Sequence, residues 1–154
     1  MITIRFAQET DLPELMALFR QTVLTHAPQH YTPAQTKAWA ASVSDRDRFH
    51  SFIFGVTTYV ATRDNRILGF TGISAAGHVA SVYVRHDCLH QGIGSKLLET
   101  LLNHAYCHHL QRLYAEASEF SLGLFTKFGF HLHDTEMVER QGIQFKRYLV
   151  ERYL

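Results

Sequence analysis

Apolar and polar side chains alternate at the start of the chain, with Ile2, Ile4 and Phe6 set against Thr3 and Arg5. A period of two predicts a strand. The period then lengthens. Leu12, Leu15, Met16, Phe19 and Val23 recur at helical spacing, with Thr10 placed to cap and Pro13 in the first turn. Thr32, Pro33 and Gln35 mark a second helix start: a capping threonine, a proline at the first helical position and a glutamine that completes a capping box. A shorter helical segment over 44–54 stops at Gly55. Strands then dominate. Residues 58–62 and 67–74 form a hairpin about Asp64 and Asn65, Gly77 turns the chain, and 78–84 is the next strand. Residues 92–107 form an amphipathic helix with Ile93, Leu97, Leu98, Leu101 and Leu102 on one face. A buried strand over 113–117 and a short helix over 121–128, ended by Gly129, lead to two strands, 135–140 and 144–150, around Gln141 and Gly142.

The order is β-α-α-β-β-β-α-β-α-β-β. One βαβ unit sits inside otherwise antiparallel pairing, which predicts an α/β (α+β) fold with a mixed central sheet and helices on both faces. With 154 residues and no repeat or linker, the expectation is a single domain over 1–154. The apolar fraction of 46% and charged fraction of 19% are those of an ordinary globular protein. A net charge of +1 leaves no electrostatic footprint for nucleic acid or an anionic membrane. No signal-peptide core or spanning run is present. Cys88 and Cys107 lack ligand-like spacing, so free thiols in a reducing, cytoplasmic setting are expected. Eleven histidines include His104 and His108 one helical turn apart. Without a neighbouring acid or cysteine they fall short of the three or four ligands a metal needs, so they read as solvated or helix-end residues and no metal is expected.

The stretch that carries chemistry runs from Val82 to Leu98. A strand ends, a polar loop follows, and Gly92-Ile93-Gly94 opens a helix. Glycines let a backbone approach a ligand, and a helix N-terminus offers free N–H groups and a positive dipole end, which suits phosphate. A Walker A loop needs a Gly-Lys pair, but Ser95 separates Gly94 from Lys96, and position 89 is Leu. The dinucleotide fingerprint needs a third glycine where Leu97 stands. A bare Gly-x-Gly is equally a tight strand-to-helix turn.

The segment resembles the pyrophosphate loop of the GNAT superfamily of N-acetyltransferases, Gln/Arg-x-x-Gly-x-Gly/Ala after a strand ending Leu-x-Val, here Val82-Tyr83-Val84. Leu89 departs from the pattern at the Gln/Arg position, where His90 and Gln91 offer polar contacts instead. The stretch from Glu116 to Phe130 resembles the second landmark, Asn-x-x-Ala-x-x-Phe-Tyr-x-x-x-Gly-Phe. Ser118, Ser121 and Leu124-Phe125 take the Asn, Ala and Phe-Tyr places, and Gly129-Phe130 matches outright. The element order agrees along nearly the whole chain. Gln29 to Pro33, Ala38-Trp39-Ala40, Glu116-Ala117-Ser118 and Val138-Glu139 with Gly142 are further similar to a bacterial YafP-like subgroup.

The resemblance implies a transferase that takes acetyl-CoA as cosubstrate and moves the acetyl group to an amine of a small molecule or protein, by direct attack in a ternary complex. It implies cosubstrate contacts from Val82, Tyr83, Val84, Leu89, His90, Gln91, Gly92, Ile93, Gly94, Ser95, Lys96, Ser118 and Phe125. A backbone N–H near Val82 to Val84 would polarise the carbonyl, and pantetheine would pair with that strand edge. His78 is the favoured base. A period of two gives it a face shared with Ala80, Val82 and Val84, arylalkylamine members of the family carry a histidine there, and a neutral imidazole accepts a proton near neutral pH. It lies ~13 Å from position 82 along the strand, so a water chain is implied. Glu116 is the rival base. The family's usual acid is a tyrosine, here Phe125, which leaves Tyr31, Tyr83 or water. His30, Tyr31 and Trp39 are expected to line the acceptor pocket, unless Trp39 is core and His30-Tyr31 a packed turn. A monomer or homodimer fits this reading. Two other readings stand beside it: a sensor of the same fold that holds acyl-CoA without turnover, and a toxin-type or ribosomal-protein acetyltransferase.

Overall fold

The computed structural model describes residues 1–154. Its strands are β1 (Thr3–Phe6), β2 (Thr57–Arg63), β3 (Arg66–Ile73), β4 (Val79–Val84), β5 (Arg112–Ala117), β6 (His131–Arg140) and β7 (Ile143–Tyr153). Its helices are α1 (Leu12–His26), α2 (Pro33–Ala40), α3 (Arg46–Phe54), α4 (Ile93–Cys107) and α5 (Leu122–Lys127). The strand pattern and the helix on each side of it match the expected order, with one addition. The helical segment before Gly55 is a full helix, α3, capped by Asp45, whose Oδ1 accepts from Arg48 N–H at 3.1 Å. At α2 the capping box forms as read: Gln35 N–H donates to Thr32 Oγ1 (3.1 Å) and Thr32 N–H to Gln35 Oε1 (2.9 Å). At α1 the boundary belongs to Asp11 rather than Thr10. The Asp11 carboxylate accepts from Gln8 N–H at 2.7 Å and from both terminal nitrogens of Arg5 at 2.8 and 3.0 Å. Asp64-Asn65 and Gln141-Gly142 all take positive φ, as two-residue hairpin turns require.

Two antiparallel blocks make up the sheet, β1-β2-β3-β4 and β5-β7-β6. They meet at one place. His78 bridges Tyr114 in parallel, and Tyr114 N–H donates to Gly77 O at 3.1 Å. β4 and β5 therefore start side by side without pairing further, and a wedge opens between their C-terminal halves. On one face, Leu15, Phe19 and Val23 of α1 and Phe49 and Ile53 of α3 pack on Val60 and Phe70. On the other, Leu98, Leu101 and Ala105 of α4 pack on Ile73, Val79, Leu113 and Val150. Each fully buried leucine of α4 contributes about 1.5–3 kcal/mol of transfer free energy, enough to fix the helix against both sheet blocks and hold the wedge in register.

One irregularity matters for function. Gly72 pairs with Ser81 but Ile73 with Val79, so Ala80 is an extra residue in β4. A bulge resets the alternation of side chains. Val79, Val82 and Val84 all pack toward α4, while Tyr83 packs toward α1. The expected common face of His78 with Val82 and Val84 is thereby corrected: His78 falls on the opposite face, the one that carries Tyr114 and Glu116.

Candidate active site

The wedge opens into a cleft of about 680 Å³. Its walls are the length of β4, the end of β5 with the turn after it, the inner faces of α1, α2 and α3, and the β6–β7 tip. At the β5 wall, Glu116 accepts from His78 Nε2, with both carboxylate oxygens at 2.9 Å. Arg147 Nη1 lies 3.8 Å from the same carboxylate. The hydrogen bond from His78, with its charge and those of Arg147 and Arg140, holds the Glu116 carboxyl below the usual carboxylate range against the opposing effect of burial. The two residues read from the sequence as rivals are thus a bonded pair. Of the two, Glu116 lines the cleft and His78 stands behind it.

The aromatic wall comes from α2 and its approach. Tyr31 packs edge-on to Trp39 at 5.2 Å between centroids, and Trp39 Nε1 donates to Tyr83 Oη at 3.2 Å. Burial pushes the Tyr83 phenol up to about 12 and raises that of Tyr31. Both phenols are therefore protonated at neutral pH. Tyr31 and Trp39 line the cleft, and His30 does not. It is exposed, with its ring 5.0 Å from Phe120 at the surface.

The loop before α4 fits a pyrophosphate. His90 and Gly92 take positive φ, 61° and 82°, and the backbone N–H groups from Leu89 to Ser95 have no acceptor within the chain. Successive free N–H groups in such a turn make a concave anion site at a helix N-terminus. A Cβ at Gly92 would meet nothing within 4 Å, so the space over the loop is open. A Cβ at Gly94 would lie 3.1 Å from Leu124 Cδ2, which explains the second glycine as a packing requirement against α5. Lys127 on α5 donates to Ser95 Oγ at 3.0 Å and brings a cation to the loop that the sequence reading missed.

Along β4, Arg85 N–H donates to Leu68 O. By antiparallel alternation Tyr83 and Ser81 also bond to β3, which turns the backbone groups of Val82 and Val84 toward the wedge. Thr22 Oγ1 donates to Val84 O at 3.1 Å, in keeping with that orientation. Across the wedge, Ser118 Oγ accepts from Phe120 and Ser121 N–H groups, both at 3.2 Å, so its hydroxyl is spent on shaping the turn into α5. Phe125 is 2% exposed, packed against Phe130, and presents an apolar edge to the cleft.

The β6–β7 tip was absent from the sequence reading of the site. Gln35 Nε2 donates to Gln144 O at 3.0 Å, and Phe145 is buried near Tyr31. This draws the hairpin across α2 and brings Arg140, Phe145 and Arg147 to the cleft. Cross-strand register was the one signal that could have found them, since Glu136 opposite Arg147 and Val138 opposite Phe145 put both arginines on the phenylalanine's face. Elsewhere, His104 is buried rather than solvated: Tyr59 Oη lies 2.8 Å from its Nδ1, and His108 stacks on it at 4.0 Å. Neither cysteine lines the cleft; Cys88 is buried and Cys107 exposed. No helix is long and apolar enough to cross a membrane.

Residues 27–152 match the acetyltransferase (GNAT) domain model. The chain is 29% identical over 148 residues to the uncharacterized N-acetyltransferase YafP of Escherichia coli (strain K12), covering 96% of this chain and 93% of that one. Its fold superposes on a GCN5-related N-acetyltransferase from Rhodopseudomonas palustris with a TM-score of 0.95 at 22% identity, over 99% of this chain and 95% of that one. It also superposes on the PaiA N-acetyltransferase of Thermoplasma acidophilum, solved in complex with coenzyme A, with a TM-score of 0.82 at 16% identity over 100% and 99% of the two chains. The chain belongs to the acetyltransferase (GNAT) domain family, and it is an acetyltransferase.

Proposed function

We propose that the whole chain, 1–154, works as one acetyl-CoA-dependent N-acetyltransferase unit in the cytoplasm, passing the acetyl group directly to the amine of a small molecule or protein. The observation that carries this reading is the wedge between β4 and β5. It has an anion-ready loop at its α4 side and the Glu116–His78 pair on its wall. Acetyl-CoA supplies the thioester. Free N–H groups from Leu89 to Ser95, with Lys127, hold its pyrophosphate. Outward-facing backbone of Val82 and Val84 pairs with the pantetheine and polarises the carbonyl.

Transfer forms a C–N bond, breaks the C–S bond and releases one proton from the amine. Glu116 faces the acceptor and takes that proton directly or through water. A carboxylate held at low pKa is a weak base alone; His78, whose Nε2–H is given to Glu116, orients that carboxylate, and Glu116 passes the proton on to water as the product leaves. This division of labour makes the two rivals one unit, with Glu116 the base and His78 its positioning partner. Phe125 cannot donate a proton. The protonated hydroxyls of Tyr31 and Tyr83 stand on the wall, and a thiolate departs without a strong acid. The absence of a cleft cysteine favours direct attack over a thiol-bound intermediate.

Thermal unfolding with acetyl-CoA tests the cosubstrate half of this reading. Ligand at ~100 times its Kd should add about 2.7 kcal/mol, and Gly92→Asp should abolish the shift by placing negative charge over the open loop. Release of free thiol with a panel of amines tests the transfer half. A normal melting shift without thiol release from any amine would leave a sensor of the same fold as the better reading.

A further inference from the structure

We propose that Arg140 at the β6–β7 tip is a subsite for a carboxylate on the acceptor, so that the amine this enzyme acetylates belongs to a small molecule that also carries an acid. This rests on the transfer reading above and specifies the substrate class of that site.

Glu116 is matched by His78 and Arg147. Arg147 is in turn held by Glu136, whose Oε1 accepts from its Nε at 2.9 Å. Arg140 differs. It lines the cleft, and no carboxylate lies within ion-pair distance of it. Its guanidinium carbon lies 5.7 Å from the centre of the Phe145 ring, beside the aromatic wall, and the residue is exposed. A guanidinium with its fork of donors unspent matches a carboxylate in two parallel hydrogen bonds.

The spacing suits one small molecule. Arg147 faces Glu136 across the hairpin, and Arg140 is four residues beyond Glu136 on β6, or ~13 Å of backbone. The Arg140 side chain folds back over Phe145, two residues short of its own position, which brings the cation to ~7 Å along the strand from the Arg147–Glu116 contact. Between the two ends lie Tyr31 and Phe145, with ring centroids 6.2 Å apart. The cleft thus offers a carboxylate for an ammonium, an aromatic midsection for a short apolar spacer, and an unpaired cation for an acid.

Matched acceptors separate this from a general amine site. 4-Aminobutyrate is compared with butylamine, and 4-(aminomethyl)benzoate with benzylamine, by thiol release in the presence of acetyl-CoA. The acid should be preferred in kcat/KM by about ten- to hundredfold, the range of one charge-assisted pair. Arg140→Met should bring the acid-to-amine ratio near one, and Arg140→Lys, which keeps charge but loses the fork, should leave an intermediate ratio. Retained melting shifts with acetyl-CoA check that the variants are folded. No preference in the parent, or an unchanged ratio in Arg140→Met, overturns the inference while leaving the transfer reading intact. If no amine turns over, calorimetry with CoA present decides instead. Acid binding that Arg140→Met removes upholds the subsite and sinks the transfer reading, and acid binding no tighter than that of the matched amine overturns the subsite.

Discussion

Glu116→Gln keeps the shape of its side chain and removes the charge; His78→Ala removes the imidazole behind it. If the 2.9 Å contact between them makes one base unit, each change disables the same group. A general base is worth ~10² to 10⁴-fold, about 2.7–5.4 kcal/mol of barrier at 1.36 kcal/mol per tenfold. Two independent bases would multiply, so the double variant would lose ~10⁴ to 10⁸-fold. A shared unit should instead cost the double variant no more than the worse single one. The assay is kcat/KM for thiol release across pH, with two amines of different basicity so that the acceptor's own titration is recognised. Stability is the control. The two side chains are 30% and 25% exposed, so solvent screens the pair and its worth is about 1 kcal/mol, or ~2–4 °C in Tm for a chain of this size. Because the Glu116 carboxyl is held below its usual range, that stability is present above the unfolded-state carboxyl pKa. It is lost as pH falls through the depressed folded value, so the Tm gap between parent and Glu116→Gln should close in acid. Losses that add in free energy across the double variant would refute the shared unit. If neither single variant loses rate, the amine arrives neutral from solvent, and alignment with carbonyl polarisation carries the reaction alone.

Phe125→Tyr adds a hydroxyl where the ring is 2% exposed and packed on Phe130. It should lower stability by about 1–3 kcal/mol if that hydroxyl finds no partner, read as Tm, with turnover held. A tenfold fall in turnover with intact acetyl-CoA binding would show that the apolar edge itself is required. Asp11→Asn should cost about 1–2 kcal/mol by weakening the charge-assisted bonds from Arg5 and Gln8 at the head of α1. Since the hydrogen bond from Arg5 lowers the Asp11 pKa, the loss should be full at neutral pH and vanish as pH falls through the depressed value. A gap that persists in acid would place its cause elsewhere.

Much of this molecule is written in windows of about ten residues. The change of period from two to helical spacing located the elements, Asp64-Asn65 and Gln141-Gly142 fixed two hairpins through their positive φ, and Gly92-Ile93-Gly94 marked the loop whose N–H groups stand free. These features are local, because backbone sterics and side-chain periodicity act over a few residues. The site was legible only in part. Glu116, Tyr31 and Trp39 could be picked out as residue types, but not that Glu116 bonds His78, 38 residues away, nor that His30 is left out of the cleft lining. A single extra residue at Ala80 reversed the facing of His78, and a strict alternation gives no warning of a bulge. Arg140, Phe145 and Arg147 entered the cleft because Gln35 and Tyr31 draw the last hairpin across α2. Sequence alone determined the elements and the glycine-marked loop at the head of α4, where the energy that selects a conformation is local. Tertiary structure decided which side chains meet in the cleft, because strand register and packing between distant segments set those distances and no short window of sequence contains both partners.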